Sequence, residues 1–295
     1  NHSSAASDVY KRQVWYAADK LSPAGMAELI QKVESLGIGS YWYSESRYYE
    51  SIATAGWLLQ NSNTIKVGSS IANIYARDAF TAAAARRSLN DMYGGRFISG
   101  QGVSHIPLVE GVRKHEYGKP VASMRAYLEA MEASKQPEEG DWPVAIAALG
   151  PRMMELAAEL CDGSLPYNVT PEHTARSKQV MGNDKALIVE QKFCLEGDPS
   201  KARALARNEL KRYMALPNYC NNWLRIGFSQ DDITGEGSDR FMDAMVVWGD
   251  EAAIHARMRE HFDAGATTVV MQPVHDEGDT EARDRMLEAM AAFSG

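Results

Sequence analysis

Residue types that can do chemistry gather at the ends of short apolar runs in this chain, and residues 94–105 are the clearest case. The stretch reads Gly-Gly-Arg-Phe-Ile-Ser-Gly-Gln-Gly-Val-Ser-His, which predicts a turn, a short buried strand and two glycines at the end of that strand. Glycine weakens a strand and packs nothing, so it is typical of a place where another backbone or a ligand comes close. A bulge or a tight corner is the alternative, and the stretch alone favours neither.

A second candidate site is the turn after the fifth predicted strand. Gly150 sits at the turn and Pro151 fits the first position of a helix, whose free N–H groups form an anion site. Arg152 lies in that first turn, where the helix dipole disfavours a cation, and a bound phosphate would turn this penalty into an attraction. The alternative is that Arg152 points to solvent or pairs with Glu155 or Glu159.

Two titratable side chains are candidates for proton transfer. Glu45 follows the aromatic run Tyr41–Tyr43 and would suit a flat conjugated ligand as a hydrogen-bond acceptor or proton carrier, unless it forms an ion pair with Arg47. His105 closes the glycine-bearing strand and is the best placed histidine for catalysis, with a structural role as the alternative. Asn73 supplies a donor and an acceptor at the end of the third strand. No two histidines share a metal-ligand spacing with a carboxylate, so we predict no metal site.

Apolar runs alternate with segments of helical periodicity along the chain, at a spacing typical of parallel βα units. Helix starts are indicated by Ser22 with Pro23, Asp78, Asp198 and Asp250. The predicted strands are Val14–Ala17, Ser40–Ser44, Ile65–Ile71, Arg96–Gln101, Val144–Ala148, Gly163–Pro166, Ala186–Leu195 and Thr267–Gln272. Eight such units favour a closed (β/α)₈ barrel over an open doubly wound sheet, with extra helices between strands seven and eight.

Composition argues against several classes of partner. The 295 residues are 45% hydrophobic and carry a formal net charge of -8, which argues against nucleic acid and against an anionic membrane. No apolar run approaches the roughly 20 residues of a membrane span. The three cysteines are scattered and fit neither a disulfide framework nor a zinc site, so we expect a reducing compartment, the cytoplasm.

The first residues differ in character from the rest. Residues 1–13 are polar and rich in serine and alanine, and they resemble a translated adapter or assembly scar. We therefore expect a non-native or disordered segment there, followed by a single domain over residues 14–295.

In several of these segments the chain resembles the bacterial-luciferase-like superfamily of flavin and deazaflavin oxidoreductases, and within it the coenzyme F420-dependent subgroup. The segments that carry the resemblance are Tyr41–Glu45, Gly68–Asp78, Gly94–His105, Ala148–Met153, Pro166–Thr174 and Trp248–Ile254. The resemblance implies a luciferase-like TIM barrel with the cofactor ring across its C-terminal mouth. It also implies a cis peptide bond between Ser70 and Ile71, and a homodimer.

The resemblance further implies which residues form the site. The backbone at Gln101–Ser104 would approach the cofactor, and the turn Gly150–Met153 would hold its phosphate. The implied cofactor-binding residues are Ser69, Ser70, Ile71, Asn73, Gln101, Gly102, Val103, Ser104, Ala148, Leu149, Gly150, Pro151, Arg152, Met153 and Tyr167. His105 and Glu45 are the candidates for the coupled proton transfer.

The activity that the resemblance implies is hydride transfer between C5 of coenzyme F420 and a small organic substrate, whose identity it does not supply. One alternative is a monooxygenase that uses FMN and oxygen and is supplied by a separate reductase. Another is a flavin-binding barrel without catalytic activity.

Overall fold

The structure, a computed structural model, describes residues 12–293. These residues form two compact units, and each is described by itself. The N-terminal unit comprises Tyr16–Ser35 and Ser40–Leu165. The C-terminal unit comprises the chain up to Trp15, Leu36–Gly39 and the chain from Pro166 onwards.

Strands and helices alternate along the described residues. The strands are β1 (Gln13–Trp15), β2 (Ser40–Tyr43), β3 (Lys66–Ser69), β4 (Ala72–Asn73), β5 (Phe97–Gly102), β6 (Val144–Ile146), β7 (Gly163–Ser164), β8 (Ala186–Cys194), β9 (Val246–Trp248) and β10 (Thr268–Pro273). The α-helices are α1 (Pro23–Ser35), α2 (Ser51–Gln60), α3 (Ala79–Tyr93), α4 (Pro120–Ala133), α5 (Pro151–Leu160), α6 (Pro171–Met181), α7 (Pro199–Leu210), α8 (Pro217–Arg225), α9 (Asp239–Met245), α10 (Glu251–Asp263) and α11 (Thr280–Ala291). A 3₁₀ turn spans Ala18–Lys20, and a π-helix spans Pro107–Val112.

The sheet of the N-terminal unit is parallel. Its strands pair in the order β2, β3, β5, β6 and β7, and the short β4 pairs with the end of β5. Helices follow the strands in sequence, as parallel pairing requires. Side chains of β2 and β3 are almost entirely buried, which is typical of parallel strands covered on both faces.

The C-terminal unit is built around its longest strand. β8 pairs in parallel with β10 from Ile188 to Phe193, and β10 also pairs with β1. The last residues of β8 pair with β9. Inside the described residues, no helix combines the length and the apolar character that crossing a membrane requires.

All eight predicted strands are confirmed, and so are the additional helices between the seventh and the eighth. The short strands β4 and β9 were not predicted. Residues 1–11 of the predicted non-native segment lie outside the described residues, whereas Gln13 is a buried residue of β1. The predicted domain boundary stays a prediction.

The predicted helix starts are also confirmed. The side chains of Ser22, Asp78, Asp198 and Asp250 each accept a hydrogen bond from a backbone N–H in the first turn of their helix. Helix α3 ends at Gly94, whose φ of 64° lies in the left-handed region that favours glycine. Local residue chemistry therefore determines where these helices begin and end.

The two glycines of β5 make room for another part of the protein. A Cβ atom on Gly100 would overlap the carbonyl oxygen of Ser69 and the side chain of Leu165. A Cβ atom on Gly102 would overlap the side chain of Ile71. The Ser69 hydroxyl stabilises this close contact between β3 and β5, because it donates to the Gly100 carbonyl at 2.9 Å and accepts from the Gly100 N–H at 3.0 Å. Of the two interpretations of these glycines, the close approach of another backbone is confirmed.

This packing predicts a large stability loss for Gly100→Ala. The atom that the new methyl group meets is backbone and cannot rotate away, so we expect a loss of about 3 kcal/mol or more in the free energy of unfolding. Gly56→Ala in α2 is the control, because its Cβ would meet only Leu89, at 3.9 Å. We expect Gly56→Ala to raise stability by about 0.5–1 kcal/mol in urea unfolding. Equal stability of the two variants would contradict the packing argument.

Candidate active site

The segment between β3 and β4 leaves the regular ladder and is held by the end of β2. Its peptide bond between Ser70 and Ile71 is cis, as expected from the resemblance. The Ser70 N–H donates to the Tyr43 carbonyl at 2.6 Å, and the Glu45 N–H donates to the Ile71 carbonyl at 3.2 Å. The structure thus brings Glu45, Ser70 and Ile71 together.

Glu45 is buried and its carboxylate is fully engaged by the protein. One oxygen accepts the Ser51 N–H at 3.3 Å and pairs with the Arg77 guanidinium, and the other accepts the Asn73 N–H at 2.7 Å. The predicted alternative partner, Arg47, is therefore not the one that Glu45 binds. Both side chains of the Glu45–Arg77 pair are at most 6% exposed, so the pair is shielded from water.

Arg77 binds a second carboxylate, that of Glu50, which is half exposed. Burial alone would lower the pKa of Arg77, but the hydrogen bonds and charges of Glu45 and Glu50 raise it. Arg77 therefore stays charged and links the end of β2 to the segment after β4. Its guanidinium also donates to the Asn73 carbonyl at 3.4 Å.

Asn73 is completely buried and is held at three of its four polar groups. Glu45 accepts from its N–H, Arg77 donates to its carbonyl, and its Oδ1 accepts the Tyr75 N–H at 2.9 Å. The last contact defines the orientation of the side-chain amide. Its Nδ2 is buried and has no hydrogen-bond partner among residues 12–293.

The end of β5 leads into the loop that carries His105. Ser104 has a φ of 57°, and its carbonyl accepts the Tyr117 hydroxyl at 3.2 Å. The His105 carbonyl accepts the N–H groups of Leu108 and Val109, which start the π-helix. The His105 side chain is half-buried. The predicted residues Gly102, Val103, Ser104 and His105 thus run from the end of β5 into this loop, and Gly102 lies beside Ile71 and Asn73.

Gln101 differs from its neighbours in orientation. Asn73 pairs with Gly102 and Ala72 pairs with Gln101, so the side chains of Asn73 and Gln101 leave the sheet on opposite faces. The Gln101 side chain donates to the Ser99 hydroxyl at 2.9 Å, and its Oε1 has no partner within the described residues. The Gln101 carbonyl accepts the Ala147 N–H at 2.9 Å. Only the backbone of Gln101, and not its side chain, can therefore line the same site as the Asn73 side chain.

The turn after β6 has the predicted geometry. Gly150 is the N-cap of α5 and Pro151 is its first residue, and no side chain caps this helix start. Leu149 is half-buried, whereas Ala148 and Met153 are buried and anchor the turn. Arg152 is exposed, and Glu159 pairs with Arg125 instead. The turn presents first-turn N–H groups and a cation on one surface, as an anion site requires.

Tyr167 is the one predicted site residue that belongs to the C-terminal unit. Its hydroxyl donates to Gln272 at 2.6 Å and lies 2.9 Å from that of Tyr213. The ammonium of Lys192 lies 3.8 Å from the centroid of its ring. Burial raises the pKa of Tyr167 well above its usual value.

Three charged residues were not singled out in the sequence analysis: Arg77, Glu190 and Lys192. Arg77 stands four residues after Asn73, within a segment that carries the resemblance. The sequence feature that could have identified Arg77 is its position directly before the N-cap Asp78, because the dipole of the following helix disfavours a cation there. Glu190 and Lys192 stand two residues apart on an apolar strand, and such charges in a buried run indicate a pair.

Comparison with known proteins bears on the family and the fold of the chain. The family model described as luciferase-like monooxygenase matches residues 6–268. A protein of Mycobacterium tuberculosis, named provisionally as a coenzyme F420-dependent oxidoreductase, is 26% identical over 182 residues, 50% of this chain and 52% of that protein. The chain therefore spans about half the length of that relative. The 5,10-methylenetetrahydromethanopterin reductase of Methanolobus tindarius is 25% identical over 83% of this chain and 89% of its own length.

Solved structures show the fold. An F420-dependent secondary alcohol dehydrogenase, in complex with an F420-acetone adduct, has a TM-score of 0.74 at 14% identity, covering 95% of this chain and 99% of that chain. The oxygenating constituent of 3,6-diketocamphane monooxygenase from Pseudomonas putida, in complex with FMN, has a TM-score of 0.70 at 13% identity, covering 97% and 98%. These likenesses confirm the predicted luciferase-like TIM barrel.

The Glu45–Arg77 pair predicts a strong and specific non-additivity in stability. Arg77→Met leaves a buried carboxylate without its cation, so we expect it to lower the free energy of unfolding by about 3–5 kcal/mol. In the double variant Glu45→Gln with Arg77→Met no charge is left behind, and we expect most of this loss to be recovered. Urea unfolding of the two single variants and the double variant measures the coupling, and additive losses would contradict the pair's role.

Proposed function

The chain belongs to the luciferase-like monooxygenase family, and from this premise we propose that it transfers hydride between C5 of coenzyme F420 and a small organic substrate. Members of this family are oxidoreductases, and the names of the relatives and structural neighbours support a flavin or deazaflavin cofactor. The choice of coenzyme F420 is supported by the names of the two relatives and of the secondary alcohol dehydrogenase.

The observation that carries the proposal is the unpaired amide of Asn73. A buried donor without an acceptor costs about 1–3 kcal/mol, and a ligand oxygen that accepts from it removes this cost. The rings of flavins and deazaflavins carry carbonyl oxygens of this kind. The Glu45 and Arg77 contacts hold the backbone of Asn73 in place, so its Nδ2 is oriented before a ligand binds.

The start of α5 suits the phosphate of the same cofactor. Its first-turn N–H groups have no side-chain cap, and the helix dipole favours an anion there. Arg152 supplies a cation in that turn. We expect Gly150, Pro151 and Met153 to contribute to phosphate binding through their backbone. Glycine and proline at this helix start leave the free N–H groups of the first turn uncovered.

The bound cofactor supplies the hydride chemistry, and the protein supplies orientation and the handling of the coupled proton. Three donors already occupy the Glu45 carboxylate, so we assign it a positioning role through Asn73. His105 is then the candidate for the proton, because its side chain is half-buried at the exit of β5 and can reach both water and a bound molecule.

An FMN-dependent monooxygenase supplied by a separate reductase is the second candidate function. It is favoured by the family's name and by the structural likeness to the FMN-bound monooxygenase component. The remaining expectations form part of the proposal: a small-molecule substrate, no nucleic acid partner, a homodimer and a cytoplasmic location.

Titration of the protein with F420 and with FMN, side by side, tests the cofactor assignment. Binding is measured by the quenching of cofactor fluorescence, and we expect F420 to bind more tightly than FMN. Tighter binding of FMN would favour the monooxygenase instead. Asn73→Leu should weaken binding of the preferred cofactor about tenfold, the effect of one hydrogen bond worth about 1.4 kcal/mol. Asn61→Leu, at the half-buried C-cap of α2, is the control. Unchanged affinity in Asn73→Leu would remove Asn73 from the site.

The phosphate assignment predicts a separate effect of charge reversal at Arg152. Arg152→Glu should weaken cofactor binding by about 1.5–3 kcal/mol, the contribution of a charge-assisted hydrogen bond. Lys66→Glu, an equal change at the other end of β3, should leave the affinity within twofold. Adding inorganic phosphate should compete with cofactor in the wild type and much less in Arg152→Glu. Equal competition in both proteins would contradict the assignment of the phosphate site to this turn.

A further inference from the structure

Asn168 in the C-terminal unit is held as tightly as any buried side chain of that unit. Its N–H donates to Glu190 Oε2 at 3.0 Å, and its carbonyl accepts the Trp223 indole N–H at 3.0 Å. Its Oδ1 accepts the Lys192 ammonium at 2.6 Å. Asn168 is only 2% exposed, and its Nδ2 has no hydrogen-bond partner anywhere in the part of the chain that the structure describes.

The backbone of Asn168 is also unusual. Its φ of 57° lies in the left-handed region, which asparagine, aspartate and glycine tolerate better than other residues. The contacts of Glu190 and Trp223 maintain this conformation from both sides of the residue. Together with the Lys192 contact they define the direction of the side-chain amide and leave one donor unused.

The pair that holds Asn168 is itself buried. The Lys192 ammonium lies 3.0 Å from Glu190 Oε1, and the two side chains are 1% and 5% exposed. Burial lowers the pKa of Lys192 and raises the pKa of Glu190, and each is partly restored by the charge of the other. Buried ion pairs add little to stability compared with apolar residues. Their contribution here is to orient Asn168.

A related arrangement occurs around Asn73 in the N-terminal unit, although there the cation contacts the asparagine backbone and Oδ1 accepts the Tyr75 N–H. There Glu45 accepts the asparagine N–H, Arg77 pairs with that carboxylate and also contacts the asparagine, and Nδ2 is again buried and unpaired. Each unit thus contains a carboxylate, a cation and an asparagine in one constellation, which we call an asparagine clamp.

Aromatic side chains surround the second asparagine clamp. The Lys192 ammonium lies between Asn168 Oδ1 and the ring of Tyr167, which is half-buried and is the member of this group nearest to solvent. Trp15 and Tyr213 pack against Tyr167, with ring centroids 5.4 and 5.5 Å away. Aromatic walls with a single oriented donor are typical of sites for a flat or apolar molecule that carries one oxygen acceptor.

The Tyr167 hydroxyl is held in a directed set of hydrogen bonds. Because Tyr167 donates to Gln272, the contact between the two tyrosines makes Tyr213 the donor to Tyr167. Arg212 donates to the Tyr213 hydroxyl at 2.7 Å. The Tyr167 hydroxyl is therefore committed to the protein and is not a donor to a bound molecule.

We propose that the Nδ2 of Asn168 is a ligand-binding donor for a carbonyl oxygen on a molecule with an apolar or aromatic body. This deepens the proposed function and rests on it, because such an oxygen occurs both on the cofactor ring and on a ketone or aldehyde substrate. The two sources share one chemistry, and binding measurements with each of them separate them.

Two substitutions at Asn168 test the donor with little effect on the backbone. Asn168→Asp keeps the oxygen that Lys192 binds and replaces the donor with an acceptor. Asn168→Gly removes the donor and tolerates the φ of 57°. Asn183, in an exposed bend of the same unit, provides the matched controls Asn183→Asp and Asn183→Gly. Urea unfolding confirms that each variant is folded before binding is measured.

Each folded variant is titrated with F420, with FMN and with acetophenone, the last followed by quenching of intrinsic fluorescence with and without cofactor. Ethylbenzene, which lacks the carbonyl oxygen, is the control ligand. If the acceptor belongs to the substrate, both Asn168 variants weaken acetophenone binding at least tenfold, leave ethylbenzene unaffected and leave the cofactor affinity within twofold. If it belongs to the cofactor, the affinity for F420 or FMN falls at least tenfold instead.

The proposal is overturned if both Asn168 variants match the Asn183 controls in every titration, including the case in which acetophenone does not bind the wild type. Failure of the proposed function has a different signature, since the wild type would then bind FMN more tightly than F420, or bind neither. The acetophenone titration without cofactor tests Asn168 in that case too.

Discussion

A buried carboxylate that accepts a backbone N–H and is neutralised by a buried cation holds the candidate site of the N-terminal unit together. Glu45 binds Asn73, Ser51 and Arg77 at once, so the end of β2, the start of α2 and the segment around β4 form one rigid piece. Ser70 and Ile71, between β3 and β4, leave the regular strand ladder, and the Asn73 N–H that follows is accepted by the Glu45 carboxylate. Without Glu45, this N–H would be buried and unpaired, which is rare in native structures because it costs free energy.

This constraint explains why β5 carries glycines where other strands carry large apolar residues. The irregular segment lies so close to β5 that a single methyl group on Gly100 or Gly102 would overlap it. The glycines therefore serve the protein's own packing first and the ligand only through it, because they allow Ile71 and Asn73 to reach the exits of the strands. A ligand site and a tight internal contact are here two consequences of one arrangement.

The charged residues of two buried ion pairs position neighbouring groups in this chain. Glu45 with Arg77, and Glu190 with Lys192, each orient an asparagine whose side-chain donor the protein leaves unused. An amide donor carries no net charge and changes little with pH, so it suits the recognition of a carbonyl oxygen on a neutral ring. In the proposed function the coupled proton falls to His105, which lies in a loop after a strand, a common place for catalytic residues.

Local chemistry was enough to predict the eight strands, the helix caps and the uncapped turn at Gly150, because each depends on residues close together along the chain. The predicted site residues from Ser69 to Met153 all fall at strand exits of one unit for the same reason: parallel strands end at one edge. The partner of Glu45 could not be predicted, since Arg77 lies 32 residues away and Arg47 was nearer. Only the tertiary structure decides which charges are withdrawn from water and which donors are left unpaired, because both depend on the atoms that distant segments bring into contact.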